Sequence, residues 1–314
     1  MIKAAMKRIG KKPSAPTQGA LWMIAACVCL GVLNVAVRYI SQELHPFQIA
    51  FFRNAMQLLI MLPWVLSRGV GVLRTKRLRG HFLRSLSGLA AMLSWFSALA
   101  LMPVAEATAI TFTAPLFATM GAALFLGESV GRRRWGATAV GFVGAMIILR
   151  PGVGSFDGAH MLAIMAAVFI SASGLIIKSM SRTDAPNVIA AYMGMFMTIL
   201  SLPFALFVWR TPSAHALGWA AVIGILATSA QLCLNRAFRV ADASAVVPFD
   251  FVRLPAAALV AYIAFGEAPD MWTWVGAGVI FTSGVYIARR EARLHARILA
   301  IPGPAVSGIG RDRS

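Results

Sequence analysis

Asp250 and Arg253 stand three residues apart in VVPFDFVRLP, near the middle of an otherwise apolar stretch from Val240 to Glu267. On a helix that spacing puts both side chains on one face. A charge at the centre of a bilayer costs at least ~2.5–3.5 kcal/mol, so the pair must face the protein interior or a wet cavity. There the two groups either contact a solute or a proton, or lock to each other as an ion pair that pins the helix.

Further polar groups lie inside apolar runs. Arg53, in FFRN, sits about 9 Å below a helix end by helical rise and either reaches back to the headgroups or turns into a cavity with Asn54 and Gln57. Gln231 and Asn235, one turn apart, are expected to hydrogen-bond between helices, with contact to a solute as the alternative. Trp95 either packs or stacks on a ligand, and Thr111 and Thr113 either face a cavity or bond back to their own helix carbonyls. Pro115, Pro248 and Pro255 remove amide donors in mid-span and are candidate helix hinges around the charged pair.

Other chemistries find little support. No His/Cys cluster has metal-ligand spacing, no Gly-rich loop follows a strand pattern, and no Ser/His/Asp set is visible, so neither an enzyme, a metal nor a cofactor is expected. Cys27 and Cys29 point to different helix faces and Cys233 lies in another apolar run, which gives no disulfide framework.

The elements that must position these groups are transmembrane helices. Of 314 residues, 59% are hydrophobic and 13% charged, with a mean hydropathy of +0.75, which no soluble domain with a polar surface sustains. On a ruler of about 20 residues per crossing, spans fall near Gln18–Ile40, Phe47–Ser67, His81–Leu101, Ala105–Leu126 and Arg132–Arg150. A second set falls near Gly158–Lys178, Asn187–Val208, Ala216–Arg236, Ala241–Phe265 and Met271–Arg289. The first run is too long for the core of a secretory signal and reads as a retained span.

The two sets repeat one another. VAEATAITFTAPLFATMGAALFLGE, from Val104 to Glu128, shares its opening and closing with VADASAVVPFDFVRLPAAALVAYIAFGE but carries no internal charge. Gly88–Ala109 aligns without gaps on Gly224–Ala245, and after a three-residue insertion Gly127, Glu128 and Trp135 match Gly266, Glu267 and Trp274. Five spans is an odd number, so consecutive copies enter the membrane from opposite sides. The fold class expected is therefore all-α integral membrane, ten helices as two inverted five-helix repeats, with substrate groups at the repeat interface.

Lys and Arg orient this layout. Twenty-four of the 29 fall at the termini and in the loops on one side, three (Arg38, Arg150, Arg210) on the other, and Arg53 and Arg253 within spans. The bias puts both termini in the cytoplasm of a multi-pass bacterial inner-membrane protein and accounts for the net charge of +18 without nucleic acid. The organisation expected is a basic N-terminus (1–17), a first repeat (18–150), a periplasmic linker (151–157), a second repeat (158–290) and a basic tail (291–314) whose Pro, Gly and Ser content, from Arg290 on, suggests disorder. Glu106 and Asp242 read as helix caps, Glu128 and Glu267 as partners for neighbouring basic groups, with a role as gate contacts the alternative. Gly136, Ala137 and Gly144, with their matches Gly276, Ala277 and Gly284, are expected where helix backbones approach closely.

The ten-span layout, FFRN, RSLSGLAAMLSWFSALALMPVAEATAITFTAPLFATMGAALFLGE with RRRWGA, and PFDFVRLP followed by FGEAPDMWTWVGAGVIFTSGVYIARRE resemble bacterial EamA-domain proteins of the drug/metabolite transporter superfamily across Gln18–Glu291. The resemblance implies a secondary carrier with a central cavity and alternating access, monomeric or homodimeric. Membrane lipids surround it, and its small-molecule substrate is riboflavin-, S-adenosylmethionine- or amino-acid-like. Superfamily relatives carry amino acids, nucleotide sugars, riboflavin and S-adenosylmethionine, and PFD with an arginine three residues on resembles the branch of the riboflavin and S-adenosylmethionine carriers. Asp250 is the candidate for a coupling proton, and an anionic or zwitterionic substrate would balance Arg53 and Arg253. A lipid-handling or scaffold protein is the alternative.

Overall fold

The computed structural model describes residues 15–69, 71, 74–125, 132–150, 157–180, 184, 186–241 and 247–299. Among them there is no strand. Six helices are long and apolar enough to cross a bilayer unaided by length and composition, within the first (Ala15–Ile40), second (Pro46–Arg68), third (Leu78–Leu101), sixth (Gly158–Met180), seventh (Pro186–Phe207) and eighth (Ala214–Val240) spans. Arg132–Leu149 and Met271–Leu299 form the fifth and tenth.

The fourth and ninth spans are broken. The helix Val104–Thr111 stops at Phe112, and a second begins at Ala114 with Pro115 in its first turn, where proline has no N–H for the Thr111 carbonyl. In the ninth span Val247–Val252 is a 3-10 helix and the α-helix begins only at Arg253. The ninth span expected from sequence is thus opened locally at its prolines, because Pro248 cannot sit inside a regular α-helical hydrogen-bond ladder. Gly266, at φ 71°, ends that span in the left-handed conformation and returns its N–H to the Tyr262 carbonyl.

Span packing carries the repeat symmetry. The first span packs against the eighth, the third against the sixth, the second against the seventh, the fourth against the ninth and the fifth against the tenth. Replacing each span by its counterpart five places along exchanges the first two pairs and returns the other three to themselves. That is the contact pattern of inverted repeats about a pseudo-twofold axis.

Close approaches rest on particular glycines. A Cβ on Gly144 would meet the Gly276 carbonyl oxygen at 2.9 Å, and one on Gly276 would meet the Gly144 carbonyl oxygen at 2.6 Å, so the fifth and tenth spans touch backbone to backbone. Gly136 and Gly284 have open space at the Cβ position, which corrects the expectation that they too lie in a tight interface. A Cβ on Gly31 would stand 3.0 Å from the Ala257 amide nitrogen, which seats the ninth span against the first. Bulky apolar side chains such as Phe207 (91% exposed) and Ile263 (75%) point outward, where the surrounding medium is hydrocarbon.

Two more expectations change. The tenth helix runs to Leu299, so the residues just after Arg290 are helical rather than disordered. Glu106 lies in the first turn of its helix, but Pro103 is the cap residue and the carboxylate instead meets His160 Nε2 at 3.1 Å. Asp242, Glu128, the linker from Pro151 to Phe156 and the tail beyond Leu299 lie outside the described residues.

Candidate functional site

A cavity of about 280 Å³ opens between the first, second, third, fourth, sixth, eighth and ninth spans. Its wall brings Arg53 and Arg253 together with Trp95, Thr111 and Gln231, residues from both halves. Arg253 owes its place to the break in the ninth span, which starts a helix at this residue, with its guanidinium carbon 5.0 Å from the Phe112 ring centre. An arginine over an aromatic face gains about 0.5–2 kcal/mol depending on desolvation.

Asp250 is not part of that wall. It sits in the 3-10 turn with Oδ2 accepting from Arg253 Nη2 at 3.5 Å, while Cys27 Sγ lies 3.7 Å from Oδ1. The carboxylate thus stands beside the arginine and leaves Arg253 Nε without a partner. The pair is partly exposed (24% and 36%), so its Coulomb energy is screened and worth little as a staple.

Arg53 turns into the cavity rather than to the headgroups, donating from Nη1 to Asn54 Oδ1 at 2.9 Å. Asn54 is itself buried and aims Nδ2 at the Met197 carbonyl and Ser201 Oγ, so it positions Arg53 and ties the second span to the seventh. Trp95 Nε1 donates to Asn34 Oδ1 at 3.4 Å. Thr111 returns its hydroxyl to the Thr108 carbonyl at 2.7 Å and Thr113 to Ile110 at 2.7 Å, so both donors are consumed locally.

Gln231 Nε2 donates to Asn235 Oδ1 at 3.1 Å along one helix. This corrects the expected interhelical bond, since residues four apart on an exposed helix face reach each other first. The two also line a second cavity of about 200 Å³ with Gln57, whose Oε1 is buried and unpartnered. Pro115 and Pro255 sit in the first turns of the helices that restart after each break, and Pro248 in the 3-10 turn.

Three contributors were not singled out from the sequence. Asn34, a polar residue amid the apolar first span, lines the cavity. Cys27 touches the Asp250 carboxylate and the Phe249 carbonyl. Arg84, grouped with the basic loop by its place near Arg79, lies within the third helix, with Nε and Nη1 shielded and unpartnered. The signal for it was its place inside the third span read from sequence, His81–Leu101.

Polar ties between the halves close the end opposite the basic loops. Arg38 Nη2 donates to Glu267 Oε1 at 2.5 Å and Nη1 to the Leu99 carbonyl at 3.3 Å, while Arg150 pairs with Asp270. The Ser213 amide donates to Glu43 at 3.3 Å, and hydrogen bonding from Ser213, with His215 nearby, holds that carboxyl below its ordinary range. At the basic end Asp184 Oδ2 meets His81 Nε2 at 3.0 Å and accepts from Thr75 at 3.1 Å. Among the described residues no group of three or more His, Cys, Asp or Glu side chains could hold a metal ion.

The profile of the EamA-like transporter family matches residues 17–150 and 158–289. A riboflavin transporter of Vibrio cholerae serotype O1 is 35% identical over 288 residues, covering 90% of this chain and 96% of that protein. An S-adenosylmethionine uptake transporter of Rickettsia prowazekii is 31% identical over 275 residues, covering 88% and 94%. One crystal structure, 21% identical, superposes with a TM-score of 0.61 over 90% of this chain and 99% of that one, which speaks to the fold.

Proposed function

The chain belongs to the EamA-like transporter family, and from that premise we propose that its cavity carries a small anionic or zwitterionic metabolite by alternating access between the two halves. The observation that carries this reading is that arginines from both halves, Arg53 and Arg253, line one cavity against, among the described residues, one nearby carboxylate, Asp250. An excess of buried positive charge is costly, and a substrate acid group offsets it. Trp95 supplies an aromatic face and Asn34 and Gln231 supply amides, a set suited to an aromatic heterocycle with hydrogen-bonding edges. The relatives named for riboflavin and S-adenosylmethionine transport make ring-bearing metabolites of that size the first candidates.

In this reading residues 18–150 and 158–290 are the moving halves, joined by 151–157, with both termini in the cytoplasm of a bacterial inner membrane and lipid around the exposed apolar faces. Charge placement supports that orientation, 23 Lys and Arg against three once Arg84, within the third helix, is set aside. Asp250 orients Arg253 and carries the coupling proton, and the chain works as a monomer or homodimer.

Reconstitution into proteoliposomes tests the proposal. Saturable uptake of labelled riboflavin, S-adenosylmethionine or an amino acid is expected, with loss in Arg253→Gln. Uptake no faster than protein-free vesicles across all three classes would return the chain to a lipid-handling or scaffold role.

A further inference from the structure

The second cavity, of about 200 Å³, lies between the second, seventh and eighth spans, on the basic-loop side of the central one. Ala190 in its wall is four residues into the seventh helix from Pro186, and Asn235 is five residues from the end of the eighth at Val240. Gln231 lines both cavities, so the two adjoin.

The equivalent place in the other half is closed. Exchange of the halves carries the second span onto the seventh and the eighth onto the third. Pro46 and Pro63 align with Pro186 and Pro203, which puts Met197 where the second span has Gln57. The gapless match of Gly88–Ala109 with Gly224–Ala245 puts Trp95 and Leu99 where the eighth span has Gln231 and Asn235. Met197 and Leu99 are buried, and Trp95 packs against the apolar core. The fold therefore fills this place with apolar side chains on one side of its pseudo-twofold axis and leaves a cavity with three amides on the other. Amides here are no requirement of the architecture.

Their hydrogen-bonding capacity is largely unused. Gln231 Nε2 donates to Asn235 Oδ1 at 3.1 Å, and turned either way the pair keeps one carbonyl oxygen and one amino group free, on two exposed side chains. Gln57 is 5% exposed and its Oε1 has no partner. The last torsion of a glutamine is broad and roughly two-fold, so that amide can turn either atom to the lumen. Thr228, also in the wall, donates its hydroxyl to the Gly224 carbonyl at 2.9 Å. Among the described residues no charged side chain lines this cavity. An ionised group would lose its water here without gaining a counter-charge, whereas a neutral group with an N–H donor beside a C=O acceptor finds a partner for each.

We propose that Gln57, Gln231 and Asn235 form a subsite for a neutral lactam or imide edge of the carried molecule, on the basic-end side of the arginine-lined cavity. The inference rests on the transport reading for its setting, in which the ligand lies across Gln231 with this edge toward the basic end.

Binding to the purified full chain in detergent separates the subsite from transport. The probes are labelled riboflavin and labelled orotate, which both carry an imide, the second beside a carboxylate. Each is competed by the unlabelled compound and by its N3-methyl derivative, which lacks the imide N–H. Saturable binding of at least one probe is expected, with the N3-methyl derivative weaker by about tenfold or more, because an analogue without the N–H leaves the amides unpaired. Gln57→Met and Asn235→Leu introduce the side chains that the other half carries. Both should weaken the parent probe by about tenfold and bring it level with its N3-methyl derivative. Gln231→Leu should do the same, and it keeps the proposal open to refutation if Gln57→Met does not fold. A structural role for the amides predicts a lower melting temperature in the ligand-free variants. The subsite predicts an unchanged or higher one, since an unpaired buried amide gives way to an apolar side chain.

Binding of neither probe, equal affinity of parent and N3-methyl derivative in the wild type, or undiminished discrimination in all three variants would overturn the proposal. A protein that takes up S-adenosylmethionine or an amino acid yet binds neither imide loses the subsite and keeps the transport reading. Imide-selective binding that depends on Gln231 in a protein that moves no solute would do the reverse.

Discussion

Phe112 and Phe251 lie with ring centroids 5.6 Å apart, at matching positions of the two halves. Helix resumes at Ala114 after one and at Arg253 after the other, 139 residues apart, the same shift that relates Gly127 to Gly266. The broken spans therefore meet break to break, and where the first half places Ala114 the second places Arg253. That substitution makes the cavity electrostatically lopsided, and several consequences can be measured.

Asp250→Asn keeps the shape of the 3-10 turn but removes the acceptor beside Arg253. The pair is partly exposed, so its loss should cost folding no more than about 1 kcal/mol. Transport should nevertheless drop by about tenfold or more, the equivalent of ~1.4 kcal/mol at the site. Arg253→Lys should do likewise, because lysine replaces the planar fork with a point charge. Wild-type uptake rates in both variants would leave the pair with a structural role only.

Gly144→Leu and Gly276→Leu each drive a side chain into a backbone carbonyl less than 3 Å away. Overpacking of this kind costs about 1–3 kcal/mol, so both should lower the melting temperature and the yield of folded protein in detergent. Gly284→Leu, with open space at its Cβ, should stay near the wild type. Equal losses at all three positions would contradict the observed register of the fifth and tenth spans.

Arg38 and Glu267 tie the first span to the end of the ninth at 2.5 Å, partly exposed at 22% and 24%. Glu267→Gln should weaken the tie by about 1 kcal/mol or less, which shifts an open-to-closed ratio by up to about fivefold. In a cysteine-free background carrying Trp95→Cys, an impermeant thiol reagent added to the end opposite the basic loops should react correspondingly faster. An unchanged or slower rate would show that the tie does not hold that end shut.

Single cysteines placed at Thr75 and Ser213 test the orientation. The first sits by the basic end and the second by the opposite end. Ser213→Cys should be labelled from outside intact cells and Thr75→Cys only after permeabilisation. The opposite result would invert the assignment drawn from charge.

Much of the fold was legible because the bilayer permits few solutions: apolar length gave the spans, the Gly-Glu and Trp matches gave the repeat, and loop charge gave the expected orientation. The breaks were announced by Pro115 and Pro248, although the 3-10 geometry of the second and the partner across each break were not. Arg84 shows where one-dimensional reading stops. Counted by its distance from Arg79 it is a loop charge; placed in three dimensions it is a shielded cation against Gly88.

The sequence by itself determined a ten-span inverted repeat and the presence of costly polar groups within it, since hydropathy and charge act on each segment separately. Only the tertiary structure decided which of those groups share a cavity. Gln231 and Asn235 turn to each other, Asn54 positions Arg53 from behind, and Asp250 stands beside the wall that Arg253 joins. Such choices depend on side-chain direction and on which helices touch. A pattern of polar residues along one chain leaves that undetermined until the two halves pack against each other.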